Sequence, residues 1–469
     1  MDKLFGTDGI REIASSSIFQ GQQLCTLSKA IAHFVQLKNP NRQSTILIGV
    51  DGRFSGPSIQ EWLIHWLIIN NVIVAVCQDE SLSTENYSLA EKTGLLTPNI
   101  RITTPLLAHM VKKYFDFGIM ITASHNPYTY NGLKLFDHNG EKLSVDEEKK
   151  IEDLFKNPKD IEPQKLSSIS GNLLEKKILK LTDRDFEIYN QNFNFSKSKI
   201  VIDCANGATS SFVNKIFNNE NNIIINDKPN GYNINSSCGS EYPENLSNMV
   251  VKNNASIGIA FDGDGDRLVV VDEMGNILSG DHILAICAKF LFDNGNLKNN
   301  SIVVTRMSNL ALIEEMKKLG INVIISDVGD RNVLFKMKEY GSILGGENSG
   351  HIIFRNYASC GDGILSALIL LDIINNGNKS LSDLSSIITP YPQVLINLPV
   401  KSKPSLESFN TLNKLIKNAE NDFNDNGRVL IRYSGTEAIC RIMVEGKNND
   451  MVHFHSNILV NELKGLIGS

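Results

Sequence analysis

Residues 118–127 read GIMITASHNP, an apolar run that gives way to small and polar residues and ends in Asn-Pro. This pattern predicts a buried strand that breaks into a turn. The strand would carry Ser124 to its carboxyl end, the edge at which open α/β sheets bind their ligands. Ser124 is therefore a candidate nucleophile. Serine is also a common turn former, so this assignment depends on the other loops of the chain.

Length and composition define the class of protein. A chain of 469 residues exceeds what one hydrophobic core usually supports, so several domains are expected. Hydrophobic residues make up 42% and charged residues 21%, which is ordinary for a soluble globular protein. The net charge of -6 argues against a nucleic-acid binder, which would need a basic surface. Any anion that the protein binds must therefore be held by a local site.

Cysteine usage and the apolar segments favour a cytoplasmic protein. The seven cysteines are scattered, with no C-x-x-C pair, and most lie in apolar runs. This is typical of small buried side chains in a reducing compartment. The first ten residues lack the basic and apolar regions of a secretory signal. The most apolar long window, 63–77, is too short and too polar to span a bilayer, so no membrane partner is expected.

Strand-like and helix-like segments alternate along most of the chain, which is the pattern of an α/β protein with parallel or mixed sheets. We expect three similar α/β domains followed by a smaller C-terminal α+β domain. The expected domains are residues 1–172, 173–279, 280–384 and 385–469. Polar stretches at 155–172 and 375–384 are interpreted as linkers, and the second domain is expected to begin with a helical run.

The apolar runs predict the following elements. The first domain has strands at 45–50, 72–76 and 117–122 and a helix at 105–114; the second has strands at 199–203, 223–226, 256–261 and 268–272. The third has strands at 301–305, 322–326, 342–344 and 351–354; the last has strands at 393–400, 428–432 and 439–445 and a helix at 406–419. In each of the first three domains an unusual loop directly follows an apolar strand. This arrangement favours three similar units that face one cleft.

Residues 261–267 read FDGDGDR and place Asp262, Asp264 and Asp266 at alternate positions. Such a turn aims several oxygens at one hard cation, and three clustered carboxylates without a cation would repel one another. An EF-hand is disfavoured because its sixth position, which needs glycine, is Arg267 and because the flanking runs are strand-like. An acidic surface turn is the other alternative. The spacing predicts a divalent metal site, and Mg²⁺ is its natural occupant.

A second polar loop follows another apolar strand. Residues 345–351 read GGENSGH, so Glu347, Asn348, Ser349 and His351 offer donors and acceptors for a polyhydroxylated ligand. A capped turn around a buried histidine fits the same pattern.

A third loop suits an anion. Residues 432–437 read RYSGTE, and Arg441 lies on the next predicted strand. Two guanidinium groups, two hydroxyls and the backbone amide at a glycine predict a site of phosphate size. Because the chain has no Walker-type G-x-x-x-x-G-K-[ST] motif, a nucleoside triphosphate is not the expected ligand.

Ordered motifs over nearly the whole chain resemble the α-D-phosphohexomutase superfamily, and within it the bacterial branch that acts on glucosamine phosphate. They are FGTDGIR at 5–11, TASHNP at 122–127, NGLK at 131–134, DCANGA at 203–208, DGDGDR at 262–267, MSN at 307–309, VGDR at 328–331, GENSGH at 346–351 and RYSGTE at 432–437. The resemblance implies a fold of four domains around one central cleft.

The resemblance also implies roles for individual residues. Ser124 is expected to be the phosphoserine, and the expected Mg²⁺ ligands are Ser124, Asp262, Asp264 and Asp266. The residues expected near the reacting phosphate are Arg11, Lys134 and Arg267, and the candidates for proton transfer, left unranked, are His125, Lys134 and His351. The sugar is expected at Glu347, Asn348 and Ser349, and the phosphate that does not react at Arg432, Ser434, Gly435, Thr436 and Arg441.

The implied activity is that of an isomerase that moves a phosphoryl group within one sugar. Phosphoserine would donate its phosphoryl group to glucosamine 6-phosphate, and the bisphosphate formed would turn around and return the other phosphate to the serine. A small phosphosugar is therefore the expected partner, a hexose bisphosphate the expected activator and a homodimer the expected assembly.

Other functions remain open from the sequence. Mannose or glucose phosphates are alternative substrates because these mutases share the serine, the metal loop and the phosphate site. A metal-assisted phosphohydrolase would also use a serine and several aspartates, and a phosphosugar sensor would need no catalysis. The chain departs from the family pattern at Glu12, where glycine is common, and at Ala438, where proline is common. If the backbone at position 12 needed the left-handed dihedral angles that glycine adopts easily, Glu12 would be strained there.

Overall fold

The computed structural model describes residues 3–78, 101–161, 177–191, 193–195, 198–377, 379–434 and 438–468. These residues form two compact units. The first unit comprises Met1–Arg306 and Ile321–Ser385, and the second comprises Met307–Gly320 and Ser386–Ser469. Within the described ranges, no helix is both long enough and apolar enough to cross a lipid bilayer.

The first unit contains three mixed sheets, and the first of these carries the Ser124 loop. Its strands are β1 Ile10–Ile13, β2 Thr45–Val50, β3 Ile73–Gln78, β4 Phe117–Ile121, β5 Tyr130–Phe136 and β6 Lys177–Lys180, and its helices are α1 Gly21–Lys38, α2 Gly56–Ile69, α3 Thr104–Tyr114 and α4 Val145–Lys156. The strand order is β1-β5-β4-β2-β3-β6. Strands β4, β2, β3 and β6 are parallel, whereas β5 and β1 are antiparallel to their neighbours.

Both faces of this first sheet are covered. Ile48 in β2 and Ile119 in β4 belong to the core cluster that α1 and α2 help to form. At the alternate positions, a Cβ on Gly49 or Gly118 would lie 2.7 or 2.9 Å from side-chain carbons of Leu107 in α3. Helix α3 therefore packs directly on the backbone, and β4 delivers the Ser124 loop from a sheet that is buried on both sides.

The second sheet carries the acidic loop. Its strands are β7 Ile200–Asp203, β8 Ile223–Ile225, β9 Ile257–Phe261, β10 Leu268–Asp272 and β11 Ile277–Leu278, and its helices are α5 Val213–Ile216 and α6 Glu244–Lys252. The order is β11-β10-β9-β7-β8, with β9, β7 and β8 parallel and β10 and β11 antiparallel. Residues 262–267 connect β9 to β10, so the three aspartates lie between two buried strands.

The third sheet carries the loop with Glu347. Its strands are β12 Ser301–Thr305, β13 Asn322–Ser326, β14 Leu344–Gly346 and β15 Ile352–Phe354; the helices in this part of the chain are α7 Gly280–Asp293, α8 Leu310–Lys318, α9 Asp330–Tyr340, α10 Gly363–Gly377 and α11 Leu381–Ser385. The order is β13-β12-β14-β15, and only β15 is antiparallel. Helix α8, which connects β12 to β13, belongs to the second unit.

The second unit contains an antiparallel sheet. Its strands are β16 Gln393–Pro399, β17 Gly427–Tyr433 and β18 Ile439–Gly446, and helices α12 Asn410–Phe423 and α13 Asn449–Ile467 accompany it. The order is β16-β18-β17. Leu412 of α12, Ile442 of β18 and Leu463 of α13 are fully buried in one core cluster. The architecture is that of three α/β domains with mixed sheets and a smaller α+β domain, as expected.

Most predicted strands are confirmed, and 45–50, 268–272, 301–305 and 322–326 match the structure at both ends. The expected helical run at the start of the second domain is wrong for the described residues 177–180. This segment is strand β6, which pairs in parallel with β3 of the first sheet. Four residues show no reliable period, and the strand is determined by pairing with a distant segment.

Three further expectations need correction. The linker at 375–384 is largely helical, because α10 continues to Gly377 and α11 begins at Leu381. The strand expected at 342–344 is shifted into the glycine pair and runs from Leu344 to Gly346; there a Cβ on Gly345 would lie 2.9 Å from the Val303 carbonyl. The helix expected at 406–419 begins at Asn410 because Phe409 is not helical, with ψ 91°.

Candidate active site

Ser124 lies in the loop that follows β4 and has a left-handed backbone, with φ 52°. This conformation is unfavourable for a residue other than glycine, so neighbouring contacts must hold it. The Ser124 side chain is buried. Its Oγ donates a hydrogen bond to Asp262 Oδ2 at 2.6 Å and lies 3.4 Å from His125 Nδ1. The fold therefore brings the candidate nucleophile to the acidic loop of another sheet.

Asp262, Asp264 and Asp266 are all buried and offer ligand atoms that lie within 4.8 Å of one another. Asp264 Oδ1 and Asp266 Oδ1 have no hydrogen-bond partner within the described part of the chain. Burial raises the pKa of Asp262 well above its usual value, and Asp266 and Asp264 raise it further. Buried carboxylate oxygens of this kind are costly unless a cation compensates their charge. The donor set fits a hard divalent cation such as Mg²⁺.

The alternatives for the acidic loop do not fit this geometry. Both flanks of the loop are strands, whereas an EF-hand loop lies between helices. Glu273, which falls at the twelfth position of such a loop, accepts instead from the main-chain N–H of Ser382 at 3.3 Å. Since the three aspartates are buried, the loop is not an acidic surface turn either.

Glycines allow the acidic loop to approach Ser124 closely. A Cβ on Gly263 would lie 2.7 Å from the carbonyl oxygen of Ser124. Gly265 has φ 73°, and its Cβ would lie 2.9 Å from side-chain carbons of Thr103 and Thr209. Any larger residue at Gly263 would therefore push the acidic loop away from Ser124.

Lys134 on β5 is buried and makes ion pairs with two of the aspartates. Its Nζ lies 2.8 Å from Asp264 Oδ2 and 2.9 Å from Asp266 Oδ2. Burial disfavours the charged amine, but Asp264, Asp266 and Asp8 outweigh this effect and hold the pKa of Lys134 well above its usual value. Lys134 is therefore positively charged at neutral pH and lies beside the acidic loop.

Two arginines lie around the serine. Arg11 donates from Nη1 to Asn126 Oδ1 at 3.2 Å and from Nη2 to Asp8 Oδ2 at 2.6 Å. Arg267 donates through its main-chain N–H to Asp262 Oδ1 at 3.2 Å, and its guanidinium contacts Glu241 Oε1 at 3.1 Å. Both side chains are partly exposed, so they can meet an anionic ligand.

The two candidate histidines differ in their surroundings. His351 is buried; its Nε2 accepts from the main-chain N–H of Gly361 at 3.0 Å, and its Nδ1 lies 3.7 Å from Asp266 Oδ1. Burial opposes protonation of His351, but Asp266 and Asp330 raise its pKa above the usual value. For His125, burial together with Arg267 and Arg11 lowers the pKa to about 3. His125 is therefore neutral at neutral pH.

The loop with Glu347 reaches the acidic loop through main-chain contacts. The N–H of Leu268 donates to the Gly350 carbonyl at 3.0 Å. Glu347 Oε1 accepts from the Gly329 N–H at 3.0 Å, and Asn348 and Ser349 are partly exposed. The Glu347 side chain is therefore held by the backbone, and all three residues predicted to bind the sugar remain accessible.

The predicted phosphate site lies in the second unit. Arg432 on β17 and Arg441 on β18 are direct partners in the antiparallel register, so both side chains project from the same face of the sheet. Like charges in opposed positions repel each other and favour a bound anion between them. Ser434 is buried, and its carbonyl accepts from Lys403 Nζ at 2.6 Å. Gly435 and Thr436 lie outside the described residues.

Several polar residues of this region were not predicted from the sequence. Thr104 donates from Oγ1 to Asp264 Oδ2 at 2.5 Å. Lys142 lies 2.5 Å from Asp330 Oδ2 and forms a second ion pair with Asp8. Asp8 lies in the motif FGTDGIR and Asp330 in the motif VGDR, so their motifs could have indicated a role in the site. Thr104 and Lys142 lie in no such motif. Thr104 therefore contacts the acidic loop directly, whereas Lys142 balances the charges of Asp8 and Asp330.

The two departures from the family pattern leave the backbone intact. Glu12 is exposed in β1 and pairs in register with Asn131 of β5, so its backbone is extended and needs no glycine. Ala438 is exposed, and its carbonyl accepts from the Val400 N–H at 2.9 Å. Neither position removes a polar group from the site.

Comparison with known protein families shows which family the chain belongs to. Four stretches of the chain match domain families of phosphoglucomutase/phosphomannomutase: alpha/beta/alpha domain I at residues 2–97 and 95–162, domain II at 184–275, domain III at 279–391, and the C-terminal domain at 395–453. A phosphoglucosamine mutase from Caldicellulosiruptor saccharolyticus is 41% identical over 96% of this chain and 96% of its own. The chain belongs to the phosphoglucomutase/phosphomannomutase family.

Solved structures show the fold of this phosphohexomutase family. A phosphoglucomutase/phosphomannomutase family protein from Burkholderia thailandensis has a TM-score of 0.73 at 20% identity, over 98% of this chain and 97% of its own. The N-acetylphosphoglucosamine mutase of Aspergillus fumigatus, solved with GlcNAc-6P and magnesium, has a TM-score of 0.65 at 18% identity, over 100% and 96% of the two chains. The four-domain α/β architecture is therefore common to this chain and to these phosphohexomutases.

Proposed function

We propose that this protein interconverts glucosamine 6-phosphate and glucosamine 1-phosphate through a phosphoserine at Ser124 and a bisphosphorylated sugar. The observation that carries this proposal is the 2.6 Å hydrogen bond from the buried Ser124 hydroxyl to Asp262, one of three clustered carboxylates. The extended similarity to a phosphoglucosamine mutase supports the amino sugar as the substrate. The protein is then an intramolecular phosphotransferase, that is, an isomerase.

Each half-reaction moves one phosphoryl group. In the first, the bond between phosphorus and Ser124 Oγ breaks and a bond to the free sugar hydroxyl forms, while the hydroxyl proton passes to a base. The sugar bisphosphate then reorients, and its other phosphoryl group returns to Ser124 Oγ. No inorganic phosphate is released. A hexose bisphosphate acts as the activator because it can phosphorylate an empty serine.

Asp262, Asp264 and Asp266 are the residues that would hold Mg²⁺, with a phosphoryl oxygen on Ser124 beside them. Within the described residues, Asp264 Oδ1 and Asp266 Oδ1 accept no hydrogen bond, which supports this role. When bound, Mg²⁺ supplies charge neutralisation for the transferring phosphoryl group. The magnesium in the Aspergillus fumigatus mutase structure supports the choice of ion.

The cationic side chains near Ser124 would stabilise the same phosphoryl group. Arg11 and Arg267 are partly exposed beside the loop, and Lys134 is held by Asp264 and Asp266. Such prepositioned charges favour the transition state because they need no reorganisation during the reaction. We keep His125, Lys134 and His351 as the candidates for moving the proton of the sugar hydroxyl.

We assign the two ends of the sugar to two loops. Glu347, Asn348 and Ser349 would bind the sugar through its hydroxyl and amino groups. Arg432, Ser434, Gly435, Thr436 and Arg441 would hold the phosphate that does not react. The opposed register of Arg432 and Arg441 supports this second role because it concentrates positive charge on one face.

We also infer a cytoplasmic enzyme with a small phosphosugar as its partner. The net charge of -6 supports the exclusion of nucleic acid, and the composition gives no reason to expect a membrane partner. A homodimer is the assembly that the family suggests.

The proposal is tested by measuring turnover of glucosamine, mannose and glucose 6-phosphates side by side, with Mg²⁺ and a hexose bisphosphate. We expect a clear preference for glucosamine 6-phosphate, no release of inorganic phosphate, and loss of turnover in a parallel sample with excess EDTA. A preference for mannose or glucose 6-phosphate would assign the other mutase activity. Continuous phosphate release would indicate a phosphohydrolase, and an absence of turnover would indicate a phosphosugar sensor.

A further inference from the structure

A fully buried ion pair lies beneath the Ser124 loop. Asp51 and Arg53 follow β2 and are 0% and 1% exposed. Arg53 Nε donates to Asp51 Oδ2 at 2.8 Å, and the main-chain N–H groups of Gly52 and Arg53 donate to Asp51 Oδ1 at 2.6 and 3.1 Å. Burying two charges is costly, so a pair at this position calls for a reason beyond stability.

The remaining donors of the Arg53 guanidinium all bind main-chain carbonyls of one loop. Nη2 donates to the carbonyls of Ser124 and Asn126, both at 2.8 Å. Nη1 donates to the carbonyl of Tyr130 at 3.0 Å and also to that of Pro127. One side chain therefore fixes four carbonyls between positions 124 and 130, which only a planar fork of five donors can do.

The carboxylate of the pair holds the other side of Ser124. Asp51 Oδ2 accepts from Thr122 Oγ1 at 2.7 Å, and Thr122 Oγ1 in turn accepts from the Ser124 N–H at 2.8 Å. The N–H and the carbonyl of Ser124 are thus both tied to the Asp51–Arg53 pair. This explains how a serine retains φ 52°.

A second donor supports the same carbonyls from the segment between β8 and α6. Asn235 Nδ2 donates to the Ser124 carbonyl at 2.8 Å and to the Asn126 carbonyl at 3.1 Å. Asn235 is itself left-handed, with φ 56°, so glycine can replace it without backbone strain. The loop is therefore held by donors from two sheets of the first unit.

We propose that Arg53 is a positioning residue for phosphoryl transfer. Its guanidinium holds the Ser124 loop in the left-handed conformation that directs Oγ to the Asp262 carboxylate, and with it the phosphoryl group to the metal loop. Arg53 does not touch the phosphoryl group, because its donors are engaged by Asp51 and the loop carbonyls. This inference rests on the proposed mutase function and adds to it the residue that aligns the nucleophile.

Arg53→Lys tests the proposal, because lysine keeps the charge beside Asp51 but lacks the planar fork. We expect kcat for glucosamine 6-phosphate to fall by about 100-fold, the size of effect that a small misplacement of reacting groups produces. We expect KM to stay within about twofold, because the groups that bind the sugar and its distal phosphate are unchanged. Rates are expressed per folded molecule, with the folded fraction taken from thermal unfolding followed by circular dichroism.

The matched control is Arg355→Lys. Arg355 also donates to a main-chain carbonyl, that of Met337, at 2.8 Å, but it lies in the turn after β15, and its hydrogen bonds within the described residues go to Met337 and Ile343. We expect this variant to keep the wild-type kcat and KM. Asn235→Gly provides a second variant in case Arg53→Lys does not fold, and it should lower kcat by roughly 10-fold with KM unchanged.

The outcomes separate the two proposals. If the wild type does not turn over glucosamine 6-phosphate, the proposed function fails before Arg53 is considered. If the wild type is active, wild-type kcat per folded molecule in Arg53→Lys overturns the positioning role. When Arg53→Lys does not fold, wild-type kcat in Asn235→Gly overturns it instead. A fall in kcat with constant KM, absent in Arg355→Lys, supports it.

Discussion

Ser124 shows how a single residue can combine strain with reactivity. Its left-handed backbone costs of order 1 kcal/mol and persists only where the surroundings over-determine it. Here the carbonyl of Ser124 receives hydrogen bonds from Arg53 and Asn235, and its Oγ donates to Asp262. The strained conformation is thus the one in which the hydroxyl faces the metal loop.

Asp362 is a second residue with an unusual environment. It precedes α10, its Oδ1 accepts from the Leu365 N–H at 3.0 Å, and it is buried. Burial raises its pKa from 3.8 to about 7. Between these two values the folded protein keeps a proton that the unfolded chain has released. This carboxyl therefore stabilises the fold fully below about pH 4, and the contribution is lost as the pH rises through about 7.

We predict that Asp362→Asn reduces the pH dependence of thermal stability. The difference in Tm between wild type and variant should shift in favour of the variant as the pH rises from 5 to 8, because Asn stays neutral. The control is Asp293→Asn, which changes an exposed side chain paired with Lys289. Circular dichroism melts at four pH values provide the measurement. Parallel Tm curves for wild type and Asp362→Asn would contradict the assignment.

The residues of the site differ in how far the sequence reveals them. Ser124, Asp262 and Glu347 lie in short motifs that follow apolar strands, so pattern and residue type identify them. Arg53 and Asn235 act through main-chain carbonyls that lie 71 and 111 positions away in the sequence. A lone arginine or asparagine has no local signal for such a partner, and only the folded chain brings the groups together.

At the scale of elements, hairpins organise the loops of the site. The β9–β10 hairpin presents the acidic loop, and the β14–β15 hairpin presents the loop with Glu347. The β17–β18 hairpin places Arg432 opposite Arg441. The register of each hairpin determines which side chains share a face of the sheet. The sequence spacing of these residues therefore shows which of them are neighbours only when the strand pairing is known.

We predict that Arg432→Ala weakens substrate binding. Loss of a charged hydrogen-bond donor to phosphate should raise KM for glucosamine 6-phosphate by roughly 10- to 100-fold. The control is Arg306→Ala, since Arg306 is an exposed residue paired with Asp327. Steady-state kinetics of both variants give the comparison. Equal effects on KM would contradict the phosphate site at Arg432.

The elements themselves were largely predictable, with informative failures. Apolar runs identify strands such as β4, β9 and β12 because every residue of these strands is buried. The sequence does not reveal strand β6, because a four-residue edge strand is defined by its pairing with β3. The glycine pair at 345–346 is typical of a loop, yet it lies in β14, where neighbouring backbone and side chains leave no room for a Cβ.

At the scale of the whole molecule, four domain families follow one another along a chain that forms two compact units. The serine, the metal loop and the loop with Glu347 all lie in the first unit, and the arginine pair lies in the second. The order of motifs predicts four domains, whereas the chain forms two compact units. Sequence patterns could not predict that residues 307–320 join the second unit, since that depends on tertiary packing.

The most direct test of the phosphoserine mechanism is turnover of Ser124→Ala. Formation of glucosamine 1-phosphate from glucosamine 6-phosphate is followed by phosphorus NMR, with Mg²⁺ and a hexose bisphosphate present. Ser247→Ala, which removes a hydroxyl that donates to the Gly275 carbonyl, is the control. We predict that Ser124→Ala keeps the wild-type melting profile and loses turnover by roughly 10⁴-fold or more, as expected when a covalent nucleophile is removed. Wild-type turnover in Ser124→Ala would contradict the mechanism.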